Sequence, residues 1–312
     1  MKYLVTGGAG FIGSHIVESL VQNGNEVRVL DNLSTGNYEN LKTVSSAIEF
    51  TEGDICDLNL CMNATEGCDG IFHEAALVSV VDSIERPQEN HDINITGTIN
   101  VLEAARTQGC KRIAFASSAA IYGNNPELPK SETMLPEPLS PYGSAKIAGE
   151  YLLQAYAEQY GIGCVALRYF NVYGPRQDPR SMYSGVISRF VDCAKNKTTP
   201  TIFGDGKQTR DFVYVEDVVQ ANLKAMTTPM KTPFLRCNIG TGIATSLLDV
   251  VEALREITGT FAQPMFEPER PGDIRHSAAD ITSARNQLSF EPQKTDLKTN
   301  LGCILDFDTA TT

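Results

Sequence analysis

The chain contains no tryptophan, only four histidines, and 26 lysines and arginines against 38 aspartates and glutamates, for a formal charge of −12. That shortage of positive charge argues against a nucleic-acid backbone or an anionic membrane surface as partner, since both demand a basic face. An anionic substrate would need a local Arg or Lys cluster working against the global field. Cysteine is present eight times but never as C-x-x-C, and His15, His73, His91 and His276 have no spacing that sets two on one helical face. Neither a disulfide framework nor a metal site is expected, and the thiols read as reduced. No apolar run approaches a membrane span. The opening Met1-Lys2-Tyr3-Leu4-Val5-Thr6-Gly7 is too short for a signal-peptide core, so the expected compartment is the cytosol, and sequons such as Asn94-Ile95-Thr96 carry no weight there.

What remains is an ordinary globular composition, 42% hydrophobic and 21% charged, and at 312 residues the prior is one large domain plus a smaller lobe. Nearly continuous apolar runs at 3–6, 26–31, 48–52, 70–73, 113–117 and 164–169 read as strands buried on both faces. Helical patterns fall between them at 11–22, 95–107 and 141–160, and a further amphipathic helix is expected at 246–257. Strand–helix alternation of this kind predicts a doubly wound parallel sheet, an α/β (Rossmann) domain over residues 1–170, with later segments returning to it. Residues 171–312 are read as mainly a smaller C-terminal substrate-binding lobe.

Gly7-Gly8-Ala9-Gly10-Phe11-Ile12-Gly13 follows the first strand and opens the first helix. Gly7 permits a tight turn, Gly10 lets backbone approach a pyrophosphate, and Gly13 allows helix and strand to pack closely. The helix start then offers unpaired N–H groups to phosphate. Asp31, ending the second strand, can accept from the adenosine ribose and would repel a 2′-phosphate, so NAD is favoured over NADP. Asp54-Ile55 can hold the adenine or form an ordinary loop, and Asn94 can touch the cofactor or cap its helix.

A hydroxyl, a phenol and an ammonium come later. Ser117-Ser118 ends a strand, and Tyr142 and Lys146 stand at i, i+4 on a helix with Ser140 as N-cap and Pro141 at its first position. A phenol titrates near ~10, too high for a base at neutral pH. A nearby ammonium joined by a cationic nicotinamide lowers it. Lys146 can also bond the nicotinamide ribose, and Ser118 can hold the substrate oxygen.

Over essentially its whole length the chain resembles the extended short-chain dehydrogenase/reductases, and within them the nucleotide-sugar 4-epimerases. The motifs are Gly7–Gly13, Asp54-Ile55, His73-Glu74-Ala75-Ala76, Ser117-Ser118-Ala119, Tyr142/Lys146, Arg168-Tyr169-Phe170-Asn171-Val172-Tyr173-Gly174, Arg210-Asp211-Phe212-Val213 and Arg270-Pro271-Gly272-Asp273. The resemblance implies that Ser118, Tyr142 and Lys146 are catalytic. It implies an NAD site drawing on Gly7, Gly10, Phe11, Ile12, Gly13, Asp31, Asn32, Gly36, Asp54, Ile55, Ala75, Ala76, Asn94, Ser117 and Tyr169 besides Tyr142 and Lys146. For the substrate it implies Arg210 and Arg270 on a diphosphate, Asn171 beside it, Asp273 on the nucleoside ribose, and Thr201 and Phe203 bordering uracil. Ser79, Gln177, Val186 and Ser277 complete that set, with Ser118 and Tyr142 at the sugar.

Three features narrow the sugar. Related 4,6-dehydratases carry an acidic pair after the catalytic serine, where this chain has Ala119-Ala120-Ile121-Tyr122. Arg176-Gln177-Asp178-Pro179, with Tyr183 and Val186-Ile187, is similar to epimerases of N-acetylated UDP-hexoses. Ser277 stands where glucose/galactose-restricted epimerases carry a tyrosine, which leaves room for a C2 acetamido group; Val78 replaces a lysine that the acetamido-type relatives also lack. The resemblance is therefore closest to UDP-N-acetylglucosamine 4-epimerases. It implies an NAD-dependent isomerase of UDP-N-acetylglucosamine and UDP-N-acetylgalactosamine, with UDP-glucose and UDP-galactose as further substrates. A homodimer through the 95–107 and 141–160 helices is implied by the same analogy. The alternatives are a dehydratase or decarboxylase of the same fold, or a dinucleotide-sensing module without turnover.

Overall fold

The structure, a computed structural model, describes residues 1–178, 185–269 and 274–309. Its first half runs β1 (Lys2–Thr6), α1 (Phe11–Gln22), β2 (Glu26–Asp31), β3 (Ile48–Glu52), α2 (Leu58–Thr65), β4 (Gly70–His73), α3 (Val80–Glu85), α4 (Pro87–His91), α5 (Thr98–Gln108), β5 (Arg112–Ser118), α6 (Pro141–Tyr160) and β6 (Gly163–Tyr169). The second half adds β7 (Asn171–Tyr173), α7 (Val186–Asn196), β8 (Thr201–Phe203), β9 (Thr209–Arg210), β10 (Phe212–Tyr214), α8 (Val215–Thr227), β11 (Phe234–Ile239), β12 (Thr245–Ser246), α9 (Leu247–Thr258), β13 (Met265–Glu267), α10 (Thr282–Leu288) and α11 (Leu297–Thr309).

Seven strands form one parallel sheet in the order β11-β6-β5-β4-β1-β2-β3. This is the doubly wound sheet expected from the buried apolar runs. Every residue of β4 is buried, as a strand covered by helices on both faces requires. On one face lie α1, α8 and α10, holding Ile16, Val17, Leu20, Val218, Ala225 and Leu288 against the sheet. Full burial of an aliphatic side chain contributes about 1.5–3 kcal/mol, so Ile16, Val17 and Leu20 are enough to fix α1 over β1. On the other face α2, α5 and α6 bury Cys61, Val101, Leu102, Leu153 and Ala157.

The strand order runs from β1 through β2 to β3 on one side and from β4 through β5 to β6 on the other, so the chain switches sides between β1 and β4. A crevice opens at such a switch point, outside the carboxyl ends of the strands. Three segments of the second half return to this body: β11 closes the sheet beside β6, and α8 and α10 cover its face. The rest packs separately, with α7, α9 and α11 around Phe190, Val250, Val251, Leu254 and Leu301. Ile121, Tyr122, Ile147, Phe170, Ala279 and Ile281 join the lobe to the sheet.

Local chemistry explains the helix limits. Ser140 Oγ accepts from Gly143 N at 3.1 Å and Pro141 takes the first turn of α6, which ends on Gly161 in the left-handed region at φ 69°. A reciprocal capping box of Ser246 and Asp249 starts α9. The helix expected from 95 differs at its start: Asp92–Gly97 form a π-helical turn ahead of α5. Ile55 explains the need for glycine there, since a Cβ on Gly97 would lie 2.6 Å from its Cδ1.

All eight cysteines are unpaired, and among the described residues no helix is long and apolar enough to cross a membrane.

Candidate active site

At the end of β1 the backbone turns on Gly7, at φ 67°, whose N–H donates to Leu30 O at 2.9 Å. A Cβ on Gly7 would lie 2.6 Å from Ala75 N, and one on Gly13 would lie 2.2 Å from Gly7 O. Gly13 therefore lets the start of α1 close onto the turn itself, rather than onto the strand as the sequence suggested. Gly10 is the N-cap of α1 and supplies no side-chain bond, so first-turn N–H groups are left for a ligand. Phe11 and Ile12 are in that first turn; the Phe11 ring meets His15 edge-on.

Asp31 lies beside this turn, accepting from Ala9 N and Leu33 N at 2.8 Å each. Burial pushes its carboxyl upward, against the pull of those two N–H bonds. Gly36 closes over it: a Cβ there would lie 3.0 Å from Asp31 Oδ1. Asp54 accepts from Asn32 Nδ2 and from Cys56 N, both at 2.8 Å. Its carboxyl is net lowered, burial raising it and these bonds outweighing that. Ile55 is buried beneath, between the π-turn and α2. A positive-φ glycine turn, a helix start without a side-chain cap and a strand-end carboxylate in one cradle fit the adenosine diphosphate of NAD.

Two residues expected at the cofactor have their side chains committed elsewhere. Asn94 does not cap a helix: its amide clamps Leu77 through both N–H and C=O at 2.9 Å and donates to Asn90 Oδ1 at 2.8 Å. Ser117 Oγ donates to Glu150 Oε1 at 2.5 Å. Successive side chains on a strand point to opposite faces, so Ser117 is turned into the protein while Ser118 faces the crevice.

Ser118 ends β5 directly opposite Tyr169 of β6. Its Oγ accepts from Ala120 N at 3.1 Å, and its hydroxyl favours the ionised form of the Tyr142 phenol. Lys146 lies one turn along α6, its Nζ donating to Ala116 O at 2.8 Å and standing 5.7 Å from the Tyr142 ring centre. Burial pushes the Tyr142 phenol up to about 12; the Ser118 hydroxyl pulls it down and the Glu74 charge raises it. Burial also brings Lys146 down to about 8, with Glu74 pulling the other way. The sequence expectation was of lowering by an ammonium and a cationic nicotinamide together; the protein's own groups leave the phenol raised. The remaining source of lowering is the positive charge of a bound cofactor.

Glu74 was not singled out from sequence beyond its place in the His73–Ala76 motif. It follows β4, takes a hydrogen bond from Tyr169 Oη at 2.8 Å, and is pushed up to about 7 by burial. Tyr169 in turn accepts from Asn222 Nδ2 at 2.7 Å. The signal available in sequence was position alone, a carboxylate just past the end of a central parallel strand. Ala75 N reaches Thr6 Oγ1 at 3.3 Å and Ala76 follows it at the crevice edge.

The lobe side is organised by Asp211, fully buried, which accepts from Thr241 N and Oγ1 at 2.7 Å, Gly242 N at 2.9 Å and Ala279 N at 3.0 Å. This staple holds Arg210 and the 276–280 segment together, and Ser277 N donates to Thr209 O at 3.1 Å. Asn171 is exposed on β7, its N–H bonded to Asp211 O at 3.0 Å. Thr201 and Phe203 bracket β8, paired with β13, and Phe203 O accepts from Gln208 Nε2 at 2.7 Å. Ser79 is buried and caps α3 through Asp82 N at 2.8 Å, while Val78 is exposed. Gln177 Nε2 reaches Val172 O at 3.4 Å, and Val186 begins α7. Arg176 turns to α1 instead, donating to Glu18 Oε2 at 2.7 Å and Ser14 Oγ at 3.3 Å. Arg270, Pro271, Gly272, Asp273, Pro179 and Tyr183 lie outside the described residues. Among the described residues no group of three or more His, Cys, Asp or Glu is placed to hold a metal ion.

Comparison with known proteins places this geometry. The profile of the NAD dependent epimerase/dehydratase family matches residues 3–240. A putative UDP-glucose 4-epimerase of Methanocaldococcus jannaschii is 42% identical, over 97% of this chain and 97% of that protein. The UDP-glucose 4-epimerase of Thermotoga maritima, solved with UDP-glucose, is 41% identical and superposes with a TM-score of 0.94 over 100% of this chain and 99% of that one. A UDP-N-acetylglucosamine 4-epimerase from Methanobrevibacter ruminantium, solved with UDP-N-acetylmuramic acid, is 35% identical with a TM-score of 0.95, over 100% and 99%. With a match across the sheet, the glycine turn and the Ser118–Tyr142–Lys146 set, the chain belongs to the NAD-dependent epimerase/dehydratase family.

Proposed function

We propose that this UDP-sugar 4-epimerase interconverts UDP-N-acetylglucosamine and UDP-N-acetylgalactosamine, and accepts UDP-glucose and UDP-galactose as well. One observation carries the reaction type: Ser118, Tyr142 and Lys146 meet at one end of the sheet, followed by Ala119 and Ala120, with no acid there to drive loss of water. Bound NAD⁺ supplies a hydride acceptor and a fixed positive charge. Tyr142, lowered by that charge, takes the proton of the C4 hydroxyl, and Ser118 holds the oxygen in line. The 4-keto sugar then turns over and regains its hydrogen on the other face, Tyr142 returning the proton. Arg210, set by Asp211, keeps the diphosphate in place while only the sugar moves, so binding energy remote from C4 controls orientation. Arg270 and Asp273 belong to the same grip. Phe203 and Thr201 receive the uracil, with Gln177, Val186, Asn171 and Ser79 around the remaining substrate.

The N-acetyl preference rests on Ser277, small and buried beside the strand that carries Arg210. Similarity to both a UDP-glucose and a UDP-N-acetylglucosamine 4-epimerase supports the broader substrate range. The same reading makes the enzyme a homodimer through α5 and α6, where Tyr151 and Tyr160 are exposed, and assigns it to the cytosol, where its free thiols stay reduced.

Purified protein incubated separately with UDP-N-acetylglucosamine and UDP-glucose is expected to yield, from each, a mixture with its C4 epimer at unchanged mass and with no net NADH. A product lighter by water or carbon dioxide would assign a lyase instead, and no turnover of either would leave the sensing module. Ser277→Tyr is expected to lower kcat/KM for the acetylated pair by tenfold or more and to spare the plain pair, since one lost steric fit is worth roughly 10–200-fold. Both sugar orientations must be productive, so kcat falls together with binding. An equal fall for both pairs would show that Ser277 does not gate the sugar.

A further inference from the structure

Lys146 is a buried ammonium with one carbonyl partner, Ala116 O at 2.8 Å, and two aromatic faces, Phe115 at 5.1 Å and Tyr142 at 5.7 Å. Hydrogen bonds and π faces solvate a cation only in part; a buried charge ordinarily needs a counter-charge. The other ionisable groups packed around it do not supply one. His73 of β4 is held neutral between Thr6 Oγ1 at 2.8 Å and Thr98 Oγ1 at 3.1 Å, pushed down to about 3 by burial and by Lys146 itself. Glu150, one turn further along α6, is fully engaged by Arg168 at 2.7 and 2.8 Å and by Ser117. Tyr142 and Tyr169 are both neutral phenols in the protein alone, each raised by burial. The carboxyl left on this side is Glu74, which follows His73 at the end of β4; the His73 ring lies 5.5 Å from the same Phe115 ring that Lys146 Nζ covers at 5.1 Å, and the Tyr169 hydroxyl fixes the carboxyl at 2.8 Å.

We propose that Glu74 is a positioning residue of the reaction, the counter-charge that keeps Lys146 an ammonium when the cationic cofactor enters beside it. The demand is specific to this site. Entry of NAD⁺ adds a second positive charge near a lysine that burial already brings to about 8, which disfavours its proton further. The Glu74 carboxylate opposes both effects. The Tyr169 hydroxyl favours the ionised form of that carboxyl, and Asn222 aims the hydroxyl from α8. The hydrogen-bonded line Asn222–Tyr169–Glu74 thus runs from the helix layer on one face of the sheet toward α6 on the other.

The sign of the effect is unambiguous for Lys146. Removing a nearby negative charge lowers its titration midpoint, so the ammonium, and with it activity, is lost at lower pH. The test uses the NAD-loaded protein with ¹³Cε-labelled lysine, followed by NMR from pH 6 to 10, with Lys146→Arg assigning the resonance. Glu74→Gln is expected to move the Lys146 midpoint down by about one pH unit or more, and Glu74→Asp to restore most of it. The alkaline limb of kcat/KM should move with it, leaving activity at pH 6.5 far less affected than at pH 8.5. Tyr169→Phe, which removes only the hydroxyl that steadies the carboxylate, should move both readouts in the same direction, and serves if the Gln variant does not fold. The kinetic arm rests on the epimerase reading; the NMR arm does not. A wild type that turns over no UDP-sugar would sink that reading and leave the Lys146 titration to judge Glu74. An unmoved midpoint, or the same loss of activity at every pH, would overturn the role proposed for Glu74.

Discussion

Tyr142→Phe is expected to lower kcat by roughly 10²–10⁴-fold, the usual contribution of a positioned acid–base group. The ring stays, so packing against Lys146 at 5.7 Å is kept, and only the hydroxyl is lost. Cofactor retention should be unchanged, because the cradle we propose for the pyrophosphate lies on other elements, at Gly7, Gly10, Gly13 and the start of α1. KM should change little, since the grip we propose for Arg210 and the lobe is on the nucleotide rather than on the reacting carbon. The measurement is kcat and KM for both sugar pairs together with the molar ratio of bound NAD. Turnover within threefold of wild type would mean that another group takes the C4 proton. A fall in bound NAD matching the fall in kcat would mean that Tyr142 holds the cofactor rather than the proton.

The second large effect is on stability. Glu150 and Arg168 are both fully buried, joined at 2.7 and 2.8 Å, with Ser117 Oγ on the same carboxylate and Tyr122 Oη accepting from Arg168 at 2.9 Å. Tyr122 donates to Asn238 Oδ1 at 2.6 Å, and Asn238 N donates to Glu132 at 2.6 Å. The network ties α6, β5, β6 and β11 into one frame and carries Ser118 and Tyr142 with it. Glu150→Ala leaves a buried guanidinium without its counter-ion and is expected to cost about 3–5 kcal/mol. The thermal midpoint should fall by about 5–10 °C. Replacing both partners by apolar residues, Glu150→Leu with Arg168→Met, should recover much of the loss, because breaking such a pair costs more than the pair contributes. A single variant within one degree of wild type, or a double variant worse than the single, would show that the pair is not what holds α6 to the sheet.

Several of these features were legible without coordinates. The strands β1–β6 announce themselves as apolar runs because a parallel strand is dry on both faces. The start of α6 is written in Ser140 and Pro141, and the i, i+4 spacing alone sets Tyr142 and Lys146 on one face. The same spacing extends to Glu150, yet nothing local names its partner; Arg168 lies on another strand and becomes a neighbour only when α6 packs across β5 and β6. β11 was invisible for a related reason. Its Phe-Leu-Arg-Cys-Asn-Ile carries Arg236 and Asn238, so it does not read as a buried strand, and Asn238 is tolerated there because Tyr122, Glu132, Lys130 and Asp280 satisfy it.

The amino-acid sequence by itself determined the sheet strands β1 to β6, the glycine turn at the end of β1 and the placing of Tyr142 and Lys146 on one helical face, because each is dictated by backbone sterics, helical spacing or strand burial over a few consecutive residues. Only the tertiary structure decided how those parts are charged and held. It turned Ser117 inward and Ser118 outward, engaged Asn94 with Leu77 and Arg176 with Glu18, and joined Tyr169 of β6 to Glu74 at the end of β4. Such pairings depend on which strands are neighbours and on how deeply each group is buried. Both are set by the packing of the whole sheet, and no short stretch of residues encodes them.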